Sequence, residues 1–287
     1  MRGSWLFVLL LTPALTFADD YWGHRIAVHT DVAYGDDPAQ VADVYYQGQK
    51  LSEPGKYFEL EGNRPTLVWI HGGGWVGGDK ASQFPRVIHF IERGWHVINL
   101  NYRQGPGTAP QAVDDVMCAF KWAIEQAEEI GAPTDQFVVS GLSAGGHLAL
   151  MVGLMNTTGD HPCKAPVAPR AVVNWFGITD IEAVEDFLAT NRAEGNYALS
   201  WVGDKAAVAD ISQRYSPLYR ITDAAPPIIT IHGTADDIVP YDQGEALHAA
   251  LSTPNELVTV TNGSHGGFSN AQYQNAYAHI FQFLEDH

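Results

Sequence analysis

Residues 141–145 read Gly-Leu-Ser-Ala-Gly and constrain the fold of this chain more than any other segment. The apolar residues 137–139 before them predict a buried strand, and residues 147–155 after them predict a helix. A strand that turns into a helix through Gly-x-Ser-x-Gly is typical of a nucleophile elbow, a tight turn that presents a serine hydroxyl above a sheet. The five residues alone also fit a Gly-Ser loop, but the flanking strand and helix favour Ser143 as a nucleophile.

Three other predicted strands end in loops that carry candidate chemistry. Residues 66–70 lead into His-Gly-Gly-Gly-Trp, residues 228–231 lead into a loop with Asp236, and the last strand leads into a loop with His265. In open α/β sheets, ligands bind at the carboxyl ends of the strands. The sequence therefore predicts that Ser143, Asp236 and His265 belong to one site at that edge.

These three residue types suit a triad in which a histidine activates a serine. His265 would accept the proton of Ser143 and pass it to the leaving group. Asp236 would hold the imidazole in the correct tautomer and stabilise its protonated form. The adjacent Asp237 is the alternative acid. Among the histidines that follow the acid, His265 alone lies in a Gly-rich loop after a strand.

The tetrahedral intermediate of acyl transfer carries a negative oxygen that needs preorganised N–H donors. Gly73 and Gly74 can bring backbone N–H groups close because no Cβ obstructs the approach. Ala144, directly after the candidate nucleophile, supplies another N–H group at a helix start. Residues 72–77 also satisfy G-x-G-x-x-G, but residues 99–101 are Asn-Leu-Asn where a dinucleotide site would need an acid. We therefore expect an oxyanion loop and no cofactor.

Residues 1–18 have the pattern of a secretory signal peptide. Arg2 precedes an apolar stretch, and Thr16 and Ala18 offer small side chains at the positions that a signal peptidase recognises. An N-terminal anchor helix is the alternative, although the apolar stretch is short for a stable span. We expect a secreted or periplasmic protein with no stable membrane anchor after cleavage, in which residues 19–287 form a single α/β catalytic domain.

The chain carries 33 acidic and 16 basic side chains, a formal net charge of −17. That excess argues against nucleic acid and anionic membrane surfaces as partners. Cys118 and Cys163 fit either a disulfide, which an exported protein can keep, or two buried thiols. The sequence contains no recognisable metal motif such as H-E-x-x-H, so no metal is expected.

Alternating strands and helices after residue 66 predict a mostly parallel central sheet with helices on both faces. Residues 26–34 and 41–46 predict two earlier strands that are antiparallel at the sheet edge. Between residues 178 and 220 the pattern loosens into an irregular insertion of the kind that covers part of a site. The candidate walls of an acyl or aryl pocket, with ordinary core packing as the alternative, are Trp75, Trp175, Phe176 and Trp201.

Residues 71–75, 141–147 and 232–240 together resemble the motifs of the esterase branch of the α/β-hydrolase superfamily. The resemblance covers most of the chain after residue 66. It is strongest to small bacterial carbohydrate esterases that release acetyl or feruloyl groups from xylan. It implies the α/β-hydrolase fold and, through the register His-Gly-x-x-Asp-x-x-Val-Pro, Asp236 rather than Asp237 as the acid.

The chain departs from hormone-sensitive-lipase-like esterases at two points. Leu142 stands where they have aspartate, and residues 21–47 are strand-forming where they have a helical cap. We expect little or no N-terminal cap and an open site, which favours short acyl groups on bulky alcohols. The His-Gly-Gly-Gly-Trp element also resembles kynurenine formamidases, which cleave an amide formyl group, although a signal peptide argues against that cytosolic role.

The leading hypothesis is a secreted serine carboxylesterase that cleaves short-chain acyl or aryl esters through an acyl-enzyme. Its substrate would be a small ester or one linked to plant polysaccharide, such as an acetyl or feruloyl group. A formamidase or a peptidase is the alternative among enzymes. A non-catalytic binding protein of the same fold is the third hypothesis, but such members typically lose the serine or histidine, and both are present here.

Overall fold

The computed structural model describes residues 26–47, 64–129, 133–158 and 161–287. Eight strands form one sheet within these residues. In chain order they are β1 (Ile26–Ala33), β2 (Val41–Gln47), β3 (Thr66–Ile70), β4 (His96–Leu100), β5 (Phe137–Leu142), β6 (Ala171–Trp175), β7 (Ile228–Gly233) and β8 (Asn255–Val260). The predicted signal peptide at residues 1–18 lies outside the described residues.

The strand order across the sheet is β1-β2-β4-β3-β5-β6-β7-β8. β1 pairs with β2 and β2 with β4 in antiparallel fashion, whereas every pair from β4 to β8 is parallel. The predicted mostly parallel sheet with two antiparallel edge strands is therefore confirmed. Because β5, β6, β7 and β8 are parallel neighbours, the loops at their carboxyl ends lie along one edge of the sheet.

Eight α-helices connect and cover these strands in the described residues. They are α1 (Phe84–Ile91), α2 (Gln111–Glu129), α3 (Ala144–Thr158), α4 (Ile181–Asn191), α5 (Tyr197–Val202), α6 (Val208–Tyr215), α7 (Asp242–Ala250) and α8 (Asn270–Asp286). The loosened region after β6 contains α4, α5 and α6. These helices are short, and α5 is less than two turns long, so the sequence pattern indicates only an irregular insertion there.

Two layers of apolar side chains hold the helices against the sheet. On one face Val68 and Ile70 of β3 belong to a cluster with buried side chains of α2 and α3. On the other face Leu67 and Trp69 of the same strand belong to a cluster with side chains of α1 and α8. Successive side chains of a strand point to opposite faces, so a strand covered on both sides is apolar along its length. In β3, every residue after Thr66 is apolar.

Helix α3 packs unusually close to the backbone of β3. A Cβ on Gly145, in the first turn of α3, would lie 2.2 Å from the carbonyl oxygen of Ile70 and 2.5 Å from that of His71. Non-bonded atoms do not approach this closely, so a residue with a Cβ fits here only if the backbone shifts. The contact lets the helix begin directly at the edge of the sheet, so that Ser143 is the single residue between β5 and α3.

Residues 26–47 form two strands and contain no helix, as expected for a chain with little N-terminal cap. That prediction also covered residues 21–25, which lie outside the described residues. Among the helices that the structure describes, none is both long and apolar enough to cross a bilayer. No group of three or more potential metal-ligating side chains occurs within the described ranges.

Cys118 of α2 and Cys163, in the loop after α3, are joined by a disulfide. Of the two alternatives that the sequence left open, the structure has the bridge rather than two thiols. The bridge links residues 45 positions apart. It therefore ties the loop that follows α3 to the helix packed beside it.

Replacing both cysteines with serine should lower the free energy of unfolding by about 2–4 kcal/mol, because the unfolded chain regains the freedom of the closed loop. Urea unfolding with and without a thiol reductant measures this. The reductant should destabilise the wild type and leave the double variant unchanged. Equal stability of the oxidised and reduced wild type would contradict a stabilising bridge.

Candidate active site

Ser143 occupies the turn between β5 and α3 with a backbone φ of 56°, in the left-handed region that non-glycine residues seldom adopt. Two hydrogen bonds hold it there: its N–H donates to the Trp175 carbonyl at 2.9 Å, and its carbonyl accepts from the His147 N–H at 3.0 Å. A Cβ on Gly141 would lie 2.2 Å from the Gly145 carbonyl oxygen. The small residues on either side thus allow the sharp turn that the sequence predicts.

Asp236 follows β7 and is buried, and both oxygens of its carboxylate accept hydrogen bonds. Oδ1 accepts from the backbone N–H groups of Ile238 and Val239, both at 2.9 Å, and Oδ2 lies 2.8 Å from Nδ1 of His265. Burial raises the pKa of this carboxyl, but hydrogen bonds from His232 and His265 outweigh it and hold the pKa well below its usual range. Asp236 is therefore ionised beside the imidazole.

His265 follows β8 and is fixed on two sides. Its Nδ1 donates to Asp236, and the ring of Phe176 packs against it at 4.6 Å between centroids. Tyr273 of α8 donates its hydroxyl hydrogen to the carbonyl of Gly266 at 2.6 Å, which anchors the loop. With Nδ1 engaged, Nε2 is the ring atom that remains to exchange a proton.

The neighbouring acid is placed differently. Asp237 is exposed and pairs with Arg192 at 2.6 Å. The other histidines that follow the acid in the chain bind elsewhere: His248 to Asn255, His279 to Glu256 and His287 to the Phe283 carbonyl. Among the described residues, the Asp–His pair at this edge of the sheet is that of Asp236 and His265.

Ser143 and His265 lie on adjoining loops. The Ser143 N–H donates to the carbonyl of Trp175, the last residue of β6, and the following residue, Phe176, contacts the His265 ring. The described residues contain no direct hydrogen bond between the Ser143 hydroxyl and His265. Catalytic hydrogen bonds are often long before a substrate binds, so this geometry is consistent with a resting site.

The glycine-rich loop after β3 passes beside the serine. A Cβ on Gly72 would lie 3.2 Å from the Cβ of Ser143. Gly73 and Gly74 have φ values of 119° and 61°, which glycine adopts without strain. Among the described residues, the N–H groups of Gly73, Gly74 and Ala144 donate no hydrogen bond. They are therefore available to a negative oxygen formed at Ser143.

His71 shapes this loop from inside the protein. Its Nδ1 donates to the Gly72 carbonyl at 2.7 Å, and its ring stacks on Tyr102 at 4.4 Å. The Tyr102 hydroxyl donates to the carbonyl of His71 in turn. Burial lowers the pKa of His71, so the ring is neutral. The His71 side chain therefore stabilises the glycine turn.

The tryptophans expected to line a pocket pack in the core instead. Trp75, Trp175 and Trp201 are each no more than 1% exposed. Trp75 stacks on Trp201 at 4.4 Å and donates its indole N–H to His147, while Trp175 packs on Tyr277. Of the two interpretations that the sequence allows for these three side chains, their burial favours core packing over pocket walls, and their large apolar surface stabilises the layers around the site.

Phe176, the fourth aromatic expected to line the pocket, is 3% exposed and contacts the candidate base. Its backbone φ of 39° is held by its own N–H, which donates to the Ile231 carbonyl at 2.8 Å. Its place in the structure is therefore between β6 and the His265 loop, where it supports the imidazole.

Two contributors to the site escaped the sequence analysis. Tyr197 of α5 packs closely on the glycine loop, because a Cβ added to Gly74 would lie 2.7 Å from the Cβ of Tyr197. The Tyr197 hydroxyl donates to the carbonyl of Ile238. His232 donates from Nε2 to the Val239 carbonyl at 2.9 Å and lies 3.5 Å from Asp236. The strand–loop position of His232 was a signal for that role. No local sequence pattern identifies Tyr197 as part of the site.

Residues 58–251 match the family model BD-FAE. The chain belongs to the BD-FAE family. A curated relative, esterase LipC of Mycobacterium tuberculosis, is 30% identical over 257 residues, which are 85% of this chain and 61% of LipC. This BD-FAE protein thus spans about three-fifths of the relative that it matches.

Two solved structures resemble the BD-FAE chain. One is a truncated carbohydrate esterase from gut microbiota, 22% identical, with a TM-score of 0.72 over 90% of this chain and 96% of that one. The other is a bifunctional GH43-CE of Bacteroides eggerthii, 26% identical, with a TM-score of 0.72 over 90% of this chain and 38% of that one. The predicted α/β-hydrolase fold is thereby confirmed.

Replacing Ser143 with alanine should abolish ester hydrolysis while the protein stays folded. Loss of a triad nucleophile costs on the order of 10⁴-fold or more in kcat. Hydrolysis of p-nitrophenyl acetate measures the effect, and circular dichroism with thermal unfolding verifies the fold. Activity near that of the wild type would contradict Ser143 as the nucleophile.

Asp236→Asn and Asp237→Asn form a matched pair. The first removes the charge that orients and stabilises the His265 imidazolium and should lower kcat by on the order of 10³- to 10⁴-fold. The second removes an exposed ion pair with Arg192 and should change kcat by less than about threefold. The reverse order of effects would assign the acid to Asp237.

Proposed function

We propose that this BD-FAE protein is an exported serine carboxylesterase that cleaves short acyl or aryl esters, including acetyl or feruloyl groups carried by plant polysaccharide. The observation that carries the proposal is the hydrogen-bonded pair of Asp236 and His265, which joins the loops after β7 and β8 at the sheet edge where Ser143 is held at φ 56°. The strained turn, the buried acid and the glycine loop occur at a single edge of the sheet. Their roles are those of an acyl-transfer site.

In the proposed mechanism the Ser143 oxygen attacks the ester carbonyl carbon as its proton passes to Nε2 of His265. The carbonyl π electrons move onto the oxygen, which the N–H groups of Gly73, Gly74 and Ala144 stabilise. As the tetrahedral intermediate collapses, the bond to the alcohol breaks and His265 returns its proton to the alcohol oxygen. Water then attacks the acyl-enzyme with His265 again as base, which releases the acid and restores Ser143.

The glycine-loop side of the site exposes little apolar surface. Tyr197 packs against Gly74 on the glycine loop, and Trp75 and Trp201 stack beneath it with no exposed surface. The described residues before β3 form no helix that would add an apolar cap. Little apolar surface is thus available to bury a long acyl tail, which supports the assignment of short acyl groups.

The comparisons support the same class of substrate. LipC is named an esterase, and one structural neighbour is named a carbohydrate esterase. The disulfide is consistent with an oxidising compartment, as a signal peptide at residues 1–18 would require. Export, the acyl group and the polysaccharide belong to the proposal.

Hydrolysis of p-nitrophenyl esters from acetate to decanoate should be fastest for acetate and butyrate and fall steeply by octanoate. Each CH₂ that is not buried forgoes roughly 0.8 kcal/mol of binding. The wild type is measured against Ser143→Ala as the background. An optimum at decanoate with activation at an oil–water interface would contradict the assignment of short acyl groups.

The same panel includes methyl ferulate, acetylated xylan and N-formylkynurenine. Release of acetate or ferulate with no release of formate separates an esterase from a formamidase. Cleavage of N-formylkynurenine alone would replace the proposed function with the amide alternative.

A further inference from the structure

A cleft of about 670 Å³ lies between α1 and the first turns of α8, beside the candidate serine. Leu142, which immediately precedes Ser143, lines one part of it, and Tyr273 lines another. The Tyr273 hydroxyl binds the carbonyl of Gly266, the residue after His265. The cleft therefore adjoins the nucleophile loop and the base loop.

The charge of this cleft is opposite to that of the whole chain. The protein has a net charge of −17, yet the cleft contains Arg86 and Arg93 and none of its lining residues is an aspartate or glutamate. Burial lowers the pKa of the third basic residue, His89, so the positive charge comes from the two guanidinium groups. Glu92 lies next to Arg93 in sequence but outside the lining set.

Neither arginine is neutralised by the protein. Within the described ranges Arg86 and Arg93 form no ion pair, whereas Lys80, Arg103 and Arg192 each bind an aspartate. Arg93 lies over the Phe281 ring at 3.8 Å and donates to the His89 carbonyl at 3.0 Å. Two unneutralised cations in one cleft of so acidic a chain indicate a site for an anion.

Arg86 has the geometry for carboxylate recognition. Its guanidinium carbon lies 4.3 Å from the centroid of the Tyr273 ring. Stacking uses the face of the guanidinium and leaves the N–H groups in its plane for two parallel hydrogen bonds to a carboxylate. The side chain of Arg86 also interacts with the Tyr277 hydroxyl, which lines the same cleft.

The remaining polar lining suits hydroxyl groups. The side-chain amides of Asn270 and Gln274 make no hydrogen bond to the described residues, and each offers both donors and an acceptor. Aromatic and amide groups beside a cation are the chemistry that holds a saccharide ring with an acidic substituent. An acetyl group is much smaller than this volume, so the cleft fits the larger half of the ester.

We propose that this cleft binds the alcohol half of the ester and selects a saccharide that carries a carboxylate, with Arg86 as its binding residue. The inference rests on the proposed esterase function. The substrate would be an acyl ester of an acidic sugar unit, with the acyl carbonyl at Ser143 and the sugar carboxylate at Arg86.

The test compares acetylated methyl glucuronoside with acetylated methyl glucoside, which differ only in a carboxylate against a hydroxymethyl group. At low ionic strength kcat/KM of the wild type should be about tenfold or more higher for the glucuronoside. Arg86→Gln should bring the two values close to each other, and Arg86→Lys should retain part of the preference because charge remains without the planar fork.

Lys164→Gln is the matched control, because it removes the same charge from an exposed residue outside the cleft. It should leave the preference intact. Equal kcat/KM values in the wild type, or a preference that Arg86→Gln leaves unchanged, would overturn the proposal. A preference lost equally in Lys164→Gln would assign it to the net charge of the protein and would also overturn the proposal.

Binding separates failure of this inference from failure of the esterase function. If the wild type cleaves no ester at all, the proposed function fails. Calorimetry with methyl glucuronoside then tests the cleft alone. Binding that is weakened at least about fivefold by Arg86→Gln upholds the anion site, and equal binding of methyl glucoside and methyl glucuronoside overturns it.

Discussion

The contact between α3 and the backbone of β3 is the constraint on which the rest of the site depends. Gly145 brings the helix so close to the Ile70 carbonyl that any side chain there would push it off the sheet. This closeness forces the sharp turn in which Ser143 adopts a left-handed conformation, a cost of roughly 1–2 kcal/mol that the surrounding packing offsets. It also brings the glycine loop alongside the serine, so the candidate nucleophile and the candidate N–H donors are positioned by one packing contact.

A second constraint is the buried carboxylate of Asp236, which joins the loops after β7 and β8. A buried charge is costly unless its lone pairs are satisfied. Two backbone N–H groups on Oδ1 and the His265 imidazole on Oδ2 meet that requirement. The hydrogen bonds that keep the carboxyl ionised are thus the bonds that orient the imidazole. Asp237, one residue away, is solvated and pairs with Arg192, so a shift of one position changes an orienting group into a surface charge.

The sequence predicted those parts of the fold and site that depend on local pattern. The parallel strands are mostly continuous apolar runs, and the loops after β3, β5, β7 and β8 contain glycines or polar residues that predict a turn. It did not predict the burial of Trp75 and Trp201, because composition alone does not distinguish a pocket wall from a core stack. The cleft between α1 and α8 is formed by residues about 190 positions apart, and no local pattern joins Arg86 to Tyr273.

The burial of the tryptophans changes where selectivity can arise. With Trp75, Trp175 and Trp201 inside the layers, the surface near Ser143 divides into two unlike halves. On the glycine-loop side Tyr197 packs directly against Gly74. On the Leu142 side the cleft offers volume, amides and two guanidinium groups. The substrate that we propose, a small acyl group on a polar alcohol, requires a long apolar surface on neither side.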